Sequence, residues 1–185
     1  GSTLLFTKDF DQYPLISANW EGLPQMRNQS PISATGAINI AITGKGIIDG
    51  NGDAWRMVKK DKLNETQWKK LVAGGGVLSE DKKTWYPTEK SLKGSKLSNP
   101  GVIAPGKDAA FYDSIKDFLR PNLLLLTNCK YILLEGVTFQ NSAAWCLHPL
   151  MSEHLTVRSI SVKNPWYAQN GDGIDVESCK NVMIE

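Results

Sequence analysis

Three apolar segments recur in step along the second half of the chain and restrict its fold more than any other feature. Tyr131-Ile-Leu-Leu-Glu-Gly-Val-Thr-Phe-Gln-Asn141, His154-Leu-Thr-Val-Arg-Ser-Ile-Ser-Val-Lys-Asn164 and Asn181-Val-Met-Ile-Glu185 align on Ile132, Leu155 and Val182, with steps of 23 and 27 residues. An earlier pair, Asn39-Ile-Ala-Ile-Thr-Gly44 and Gly46-Ile-Ile-Asp49-Gly50, has the same form. Each unit reads as a short strand, a bend, a second short strand and an Asn or Gly turn. No unit of this size buries its apolar face without neighbours, so the spacing predicts an all-β solenoid, a parallel β-helix. Asn141 and Asn164 fall at equivalent turns, where their amides could stack and satisfy one another, although Asn also suits a turn by itself. A β-sandwich is the competing fold. It needs antiparallel hairpins, and residues 122–185 carry few two-residue hairpin signals.

Residues 51–120 break the rhythm and read as an insertion with short helices and surface loops. Trp55 to Val72 reads as a helix with Trp55, Val58, Leu63, Trp68 and Leu71 on one irregular apolar side, ended by Gly74-Gly-Gly76. Residues 79–108 are polar and suit a long surface excursion, and Ala109 to Leu119 reads as a short helix stopped before Pro121. The insertion either walls a groove or caps the solenoid.

A net charge of +2 with no basic stripe argues against nucleic acid as a partner. No apolar run approaches membrane-spanning length, so no membrane partner is expected. Cys129, Cys146 and Cys179 are too few for a disulfide framework and lack zinc spacing; they read as small buried side chains. No cofactor and no metal are indicated.

Four acids stand out: Asp49, Asp53, Asp172 and Asp175. Asp49-Gly-Asn-Gly-Asp53 superficially resembles a calcium loop but lacks its twelve-residue register and terminal glutamate, so a turn explains it better. Asn170-Gly-Asp-Gly-Ile-Asp175 carries more. With Ile174 and Val176 turned into a core, Asp175 faces outward and Asp172 stands at the preceding strand edge. Both carboxylates then reach one groove, and cleavage of a glycosidic bond needs paired acids of this kind. A structural turn rich in glycine is the alternative for the same residues.

The chain resembles the polygalacturonase-like, pectin-degrading glycoside hydrolases of family 28. The resemblance rests on Trp20-Glu21-Gly22, on residues 39–50, on Arg120-Pro121, on Gly136-Val-Thr-Phe-Gln-Asn-Ser142 with Trp145 and His148, and on Asn170-Gly-Asp-Gly-Ile-Asp175. It implies a right-handed parallel β-helix and hydrolysis of α-linked galacturonic acid with inversion. Asp172 matches the catalytic aspartate of the family's Asn-Thr-Asp-Gly motif, with Gly171 in place of threonine. In an inverting reaction Asp172 would activate water, with the paired carboxyl groups roughly 6.5–9.5 Å apart.

By the same resemblance His148 is a candidate groove residue, with local packing as its alternative; Asp175 either orients the groove or caps the next turn, and Trp145 and Tyr167 either flank sugar rings with their apolar faces or pack at the coil turns. Arg120 either meets a substrate carboxylate or holds the insertion in place, His154 reads as structural, and Trp166 reads as ledge packing with contact to a sugar ring as its alternative. The family's following Gly-Asp-Asp, Gly-His-Gly and Arg-Ile-Lys motifs do not occur in these 185 residues. The expectation is therefore a portion of a catalytic domain, inactive alone, and pairing with a C-terminal fragment or self-associating through an exposed solenoid end. The expected partner is an acidic pectin-type polysaccharide, and the expected setting is secreted or periplasmic, with no signal peptide in the sequence. A carbohydrate-binding β-helix without catalysis, and a purely structural or adhesive solenoid, are the alternatives.

Overall fold

The spacing of Ile132, Leu155 and Val182 reappears as strand register in a computed structural model that describes all 185 residues, Gly1 to Glu185. Strand β1 (Thr3–Leu5) is followed by a hairpin of β2 (Leu15–Trp20) and β3 (Leu23–Asn28). The first coil comprises β4 (Ile32–Thr35), β5 (Ile38–Thr43) and β6 (Ile47–Asp49). An excursion then carries β7 (Val58–Lys59), α1 (Glu65–Ala73), β8 (Val77–Leu78), β9 (Thr84–Tyr86), α2 (Glu89–Ser95) and α3 (Ala109–Asp113). Coils resume with β10 (Leu124–Thr127), β11 (Lys130–Glu135) and β12 (Thr138–Gln140), then β13 (Leu147–Leu150), β14 (Glu153–Arg158) and β15 (Ser161–Lys163). A last rung pairs Ile174 with Leu147 and Glu177 with Leu150 before β16 (Lys180–Ile184).

Three parallel sheets result, in the orders β4-β10-β13, β5-β11-β14-β16 and β1-β6-β12-β15. The chain is a right-handed β-helix with three strands per coil. Columns such as Ile40-Ile132-Leu155-Val182 and Ile32-Leu124-Leu147-Ile174 fill its interior. Full burial of one such leucine stabilises the fold by about 2 kcal/mol. The bend between the first and second sheets falls at the same place in every coil. Gly36, Asn128, Met151 and Ser178 all take left-handed dihedrals there, with φ of 66°, 53°, 51° and 52°. Such a bend turns the chain without extra residues, and Gly and Asn adopt it at least cost.

Two details differ from the expectation. Asn141 and Asn164 do occupy adjacent turns, but Asn141 accepts from Arg56 and donates to Asp49, while Asn164 accepts from Ser142 N and donates to Gly171 O. The expected helix from Trp55 begins only at Glu65. Asn64 caps it in a reciprocal box with Gln67; Trp55 is instead buried against Phe10 and Tyr13, and residues 55–63 form a turn, the short strand β7 and a single 3-10 turn at Lys60–Lys62. No helix is long and apolar enough to cross a membrane.

The β2–β3 hairpin positions the site from outside. Its Asn28 amide donates to Lys116 O and Leu119 O, and Arg27 donates to Arg120 O. It thereby lies over the outward face of β10 and β13, where Ala18, Trp20, Asn28, Leu125 and His148 leave a void of only about 10 Å³.

Candidate active site

Register brings the sequence-marked residues to the outer face of the β4-β10-β13 sheet. Leu125 pairs with His148, and the pairings of Ile174 and Glu177 one rung on bring Asp175 beside His148. Backbone bonds hold this rung: Cys146 N donates to Asp172 O, Asp175 N to Leu147 O and Glu177 N to Pro149 O. Ile174 packs on the core, whereas Val176 on the same rung is 40% exposed. Asp172, Asp175 and Glu177 therefore gather on one rung, above His148.

Asp172 is exposed and borders an open cleft of about 510 Å³ with Asn164, Trp166, Ala168 and Asn170. Asp175 is half-buried, and its Oδ2 is enclosed with no hydrogen-bond partner. Burial pushes its carboxyl above the usual range; the like charges of Asp172 and Glu177 add to the rise, and His148 opposes it. One rung thus carries an exposed carboxylate beside a carboxyl biased towards its protonated form.

His148, for which groove contact and local packing both stood open, has no exposed surface. Trp145 meets it edge-on with ring centres 5.1 Å apart, and Trp20 approaches at 6.0 Å. The Asn122 amide nitrogen lies 3.1 Å from Nδ1, and Glu177 Oε2 lies 2.9 Å from Nε2. With Asn122 donating to Nδ1, the ring proton sits on Nε2 and is donated to Glu177. His148 therefore meets the groove through Glu177, from below. Trp145 is committed as well: its indole stacks on Trp20 at 4.1 Å, and the Arg27 guanidinium lies 3.3 Å above the Trp20 ring centre.

Tyr167 stands apart from these groups. It lies with Asp53 on the excursion side of the 164–173 turn, and burial followed by the charge of Asp53 raises its pKa. Arg120 clamps that turn: one guanidinium nitrogen donates to Ala143 O and Gln169 O at 2.9 and 2.8 Å, the other to Asn170 Oδ1 at 2.7 Å. Burial and the nearby Arg56 lower its pKa to about 10. The tightness of the turn also accounts for Gly171, because a Cβ there would stand 2.8 Å from Ala168 Cβ.

Glu177 and Asn122 are site residues that the sequence reading did not single out, and Trp20 entered it only within the Trp20-Glu21-Gly22 motif, with no role in the site. Glu177 was visible in principle, since Asp175 and Glu177 are two apart and share a face. Asp49 accepts from Asn51 N, Gln140 and Asn141 and so serves the first turn. No three His, Cys, Asp or Glu side chains converge to ligate a metal.

Residues 79–185 match the model of the glycosyl hydrolases family 28. The chain belongs to that family. All of the second and third coils, the last rung and both aspartates lie within the matched segment. Among family relatives, an exo-poly-alpha-D-galacturonosidase of Dickeya chrysanthemi is 28% identical over 198 residues, covering all of this chain and 30% of that protein. A probable polygalacturonase of Vitis vinifera is 32% identical over 75 residues, 40% of this chain and 15% of that protein. The crystal structure of a hyperthermoactive exopolygalacturonase from Thermotoga maritima superposes with a TM-score of 0.61 at 27% identity, over 98% of this chain and 37% of that one. The chain thus spans about a third of the length of the Dickeya and Thermotoga proteins.

Proposed function

We propose that these residues supply part of the active site of a hydrolase that cleaves α-linked galacturonic acid residues in pectin-type polysaccharide with inversion. The observation that carries the reading is the exposed Asp172 carboxylate beside the half-buried Asp175 on one rung, in a member of family 28. The names of the Dickeya and Thermotoga relatives support the choice of substrate.

In this reading Asp172 accepts a proton from the attacking water, and the oxygen so activated attacks the anomeric carbon as the glycosidic bond breaks. A second acid, which the family resemblance places in a later Gly-Asp-Asp motif, protonates the leaving oxygen. These 185 residues do not contain that motif, so by themselves they are proposed to be inactive. Asp175 and the His148–Glu177 pair act as positioning residues: they fix the rung and keep Asp172 beside a carboxyl biased towards neutrality. A polymeric substrate too large to enter a cell puts the reaction in a secreted or periplasmic setting.

The test is incubation of the complete enzyme with polygalacturonate, following reducing ends and the anomer of the first product by proton NMR. The reading expects new reducing ends with the β-anomer appearing first. An initial α-anomer would exclude inversion. Binding of the polymer without any release would turn the assignment to a carbohydrate-binding β-helix.

A further inference from the structure

A larger cleft on the opposite side of the 164–173 turn takes no part in the reaction proposed above. It encloses about 640 Å³ between α1 and β9 on one side and Tyr167 on the other. That volume suits one or two sugar rings. Leu63, Leu71, Trp85 and the Tyr167 ring give it flat apolar walls, and Gln67 and Lys70 add polar groups from α1. Trp85 is held in place by its indole N–H, which donates to Gly75 O at 2.7 Å.

The charges in the cleft are not balanced. Asp53 is already engaged by Arg56. Lys70 is exposed and pairs with no carboxylate. The imbalance extends to the whole excursion: residues 51–120 hold 14 Lys and Arg against 9 Asp and Glu, whereas the rest of the chain holds 7 against 10. An anionic ligand would be drawn to the excursion rather than to the solenoid face.

We propose that this cleft binds a uronate unit of an acidic oligosaccharide, with its ring between Trp85 and Tyr167 and its carboxylate on Lys70. The identity of the sugar rests on the galacturonan reading; the anionic character rests on the cleft itself. Tyr167 and Asp172 are five residues apart on one turn, with Trp166 and Asp172 bordering the cleft on its other side. A chain held by Lys70 would thus be anchored one turn away from the reacting carboxylate. Arg120 makes that spacing rigid by holding Gln169 and Asn170.

Titration calorimetry with trigalacturonic acid tests the proposal, using the complete protein carrying Asp172→Asn so that the ligand survives. Adding Lys70→Gln should weaken binding by about tenfold, the effect of removing one charge-assisted contact, while Lys70→Arg should keep it within about threefold. A neutral galactose trisaccharide should not bind. Undiminished binding by the Lys70→Gln protein, equal binding of the neutral trisaccharide, or no binding at all would each overturn the assignment. Hydrolysis by the protein with Asp172 intact is measured separately. Lys70-dependent binding in a protein that releases no reducing ends would refute the hydrolase reading and leave the cleft standing.

Discussion

At the scale of single residues, the last rung sets two carboxylates in different surroundings. Asp172 opens to a cleft, whereas Asp175 has one oxygen enclosed without a partner. Because folding raises the pKa of Asp175, its ionised form opposes folding: relative to an amide, any stability it lends is present below the ordinary carboxyl range and is lost as pH rises through the raised value. Asp175→Asn is therefore expected to raise the melting temperature at pH 7 and leave it nearly unchanged at pH 3. A fall at pH 7 would show that the Asp175 carboxylate is stabilised by a partner after all. Asp172 and Asp175 were legible in the sequence because glycines and a strand alternation frame them. The burial of His148 was not legible, because Trp20, which helps cover it, lies 128 positions away in the chain.

At the scale of elements, β11, β14 and β16 could be read directly, since Ile132, Leu155 and Val182 recur in step and face the core at one register position. The first strand of each coil could not. Leu124 to Leu126 are apolar on both faces and Leu147 to Leu150 are buried on both, because Leu125 and His148 lie under the β2–β3 hairpin, so the polar alternation that marks a half-exposed strand is weak. Trp55 misled for a similar reason, as its apolar surface serves Phe10 and Tyr13 rather than a helix face. The 164–173 turn owes its shape to Arg120, an element-level effect with no local signature. Arg120→Ala leaves Ala143 O and Gln169 O without their donor and should cost about 1–3 kcal/mol in denaturant unfolding. Arg120→Lys should recover little of that, since a single ammonium cannot replace a planar fork reaching three acceptors. Full recovery by lysine would mean that charge, and not the fork, holds the turn.

At the scale of the whole molecule, the solenoid sets the acids of the site level with one another and the segments outside it border them. Coils separated by 23 and 27 residues bring Asp172, Asp175 and Glu177 level with one another and above His148. The four extra residues of the longer step form the turn that carries Trp166, Tyr167 and Asn170. The hairpin covers the inner end of the sheet, and the excursion closes a second, positively biased cleft on the far side of that turn. In the proposed reading this layout divides the labour: the rung holds the acid, and the inserted segments would select which part of its surroundings admits a sugar. The most direct test is the rate of reducing-end release from polygalacturonate by the complete enzyme, with and without Asp172→Asn. Loss of a positioned general base predicts a fall of about 100-fold or more in kcat, with the melting temperature unchanged because the Asp172 side chain is exposed and makes no hydrogen bond of its own. A variant that retains most of the wild-type rate would contradict the account, because the acid doing the chemistry would then lie elsewhere.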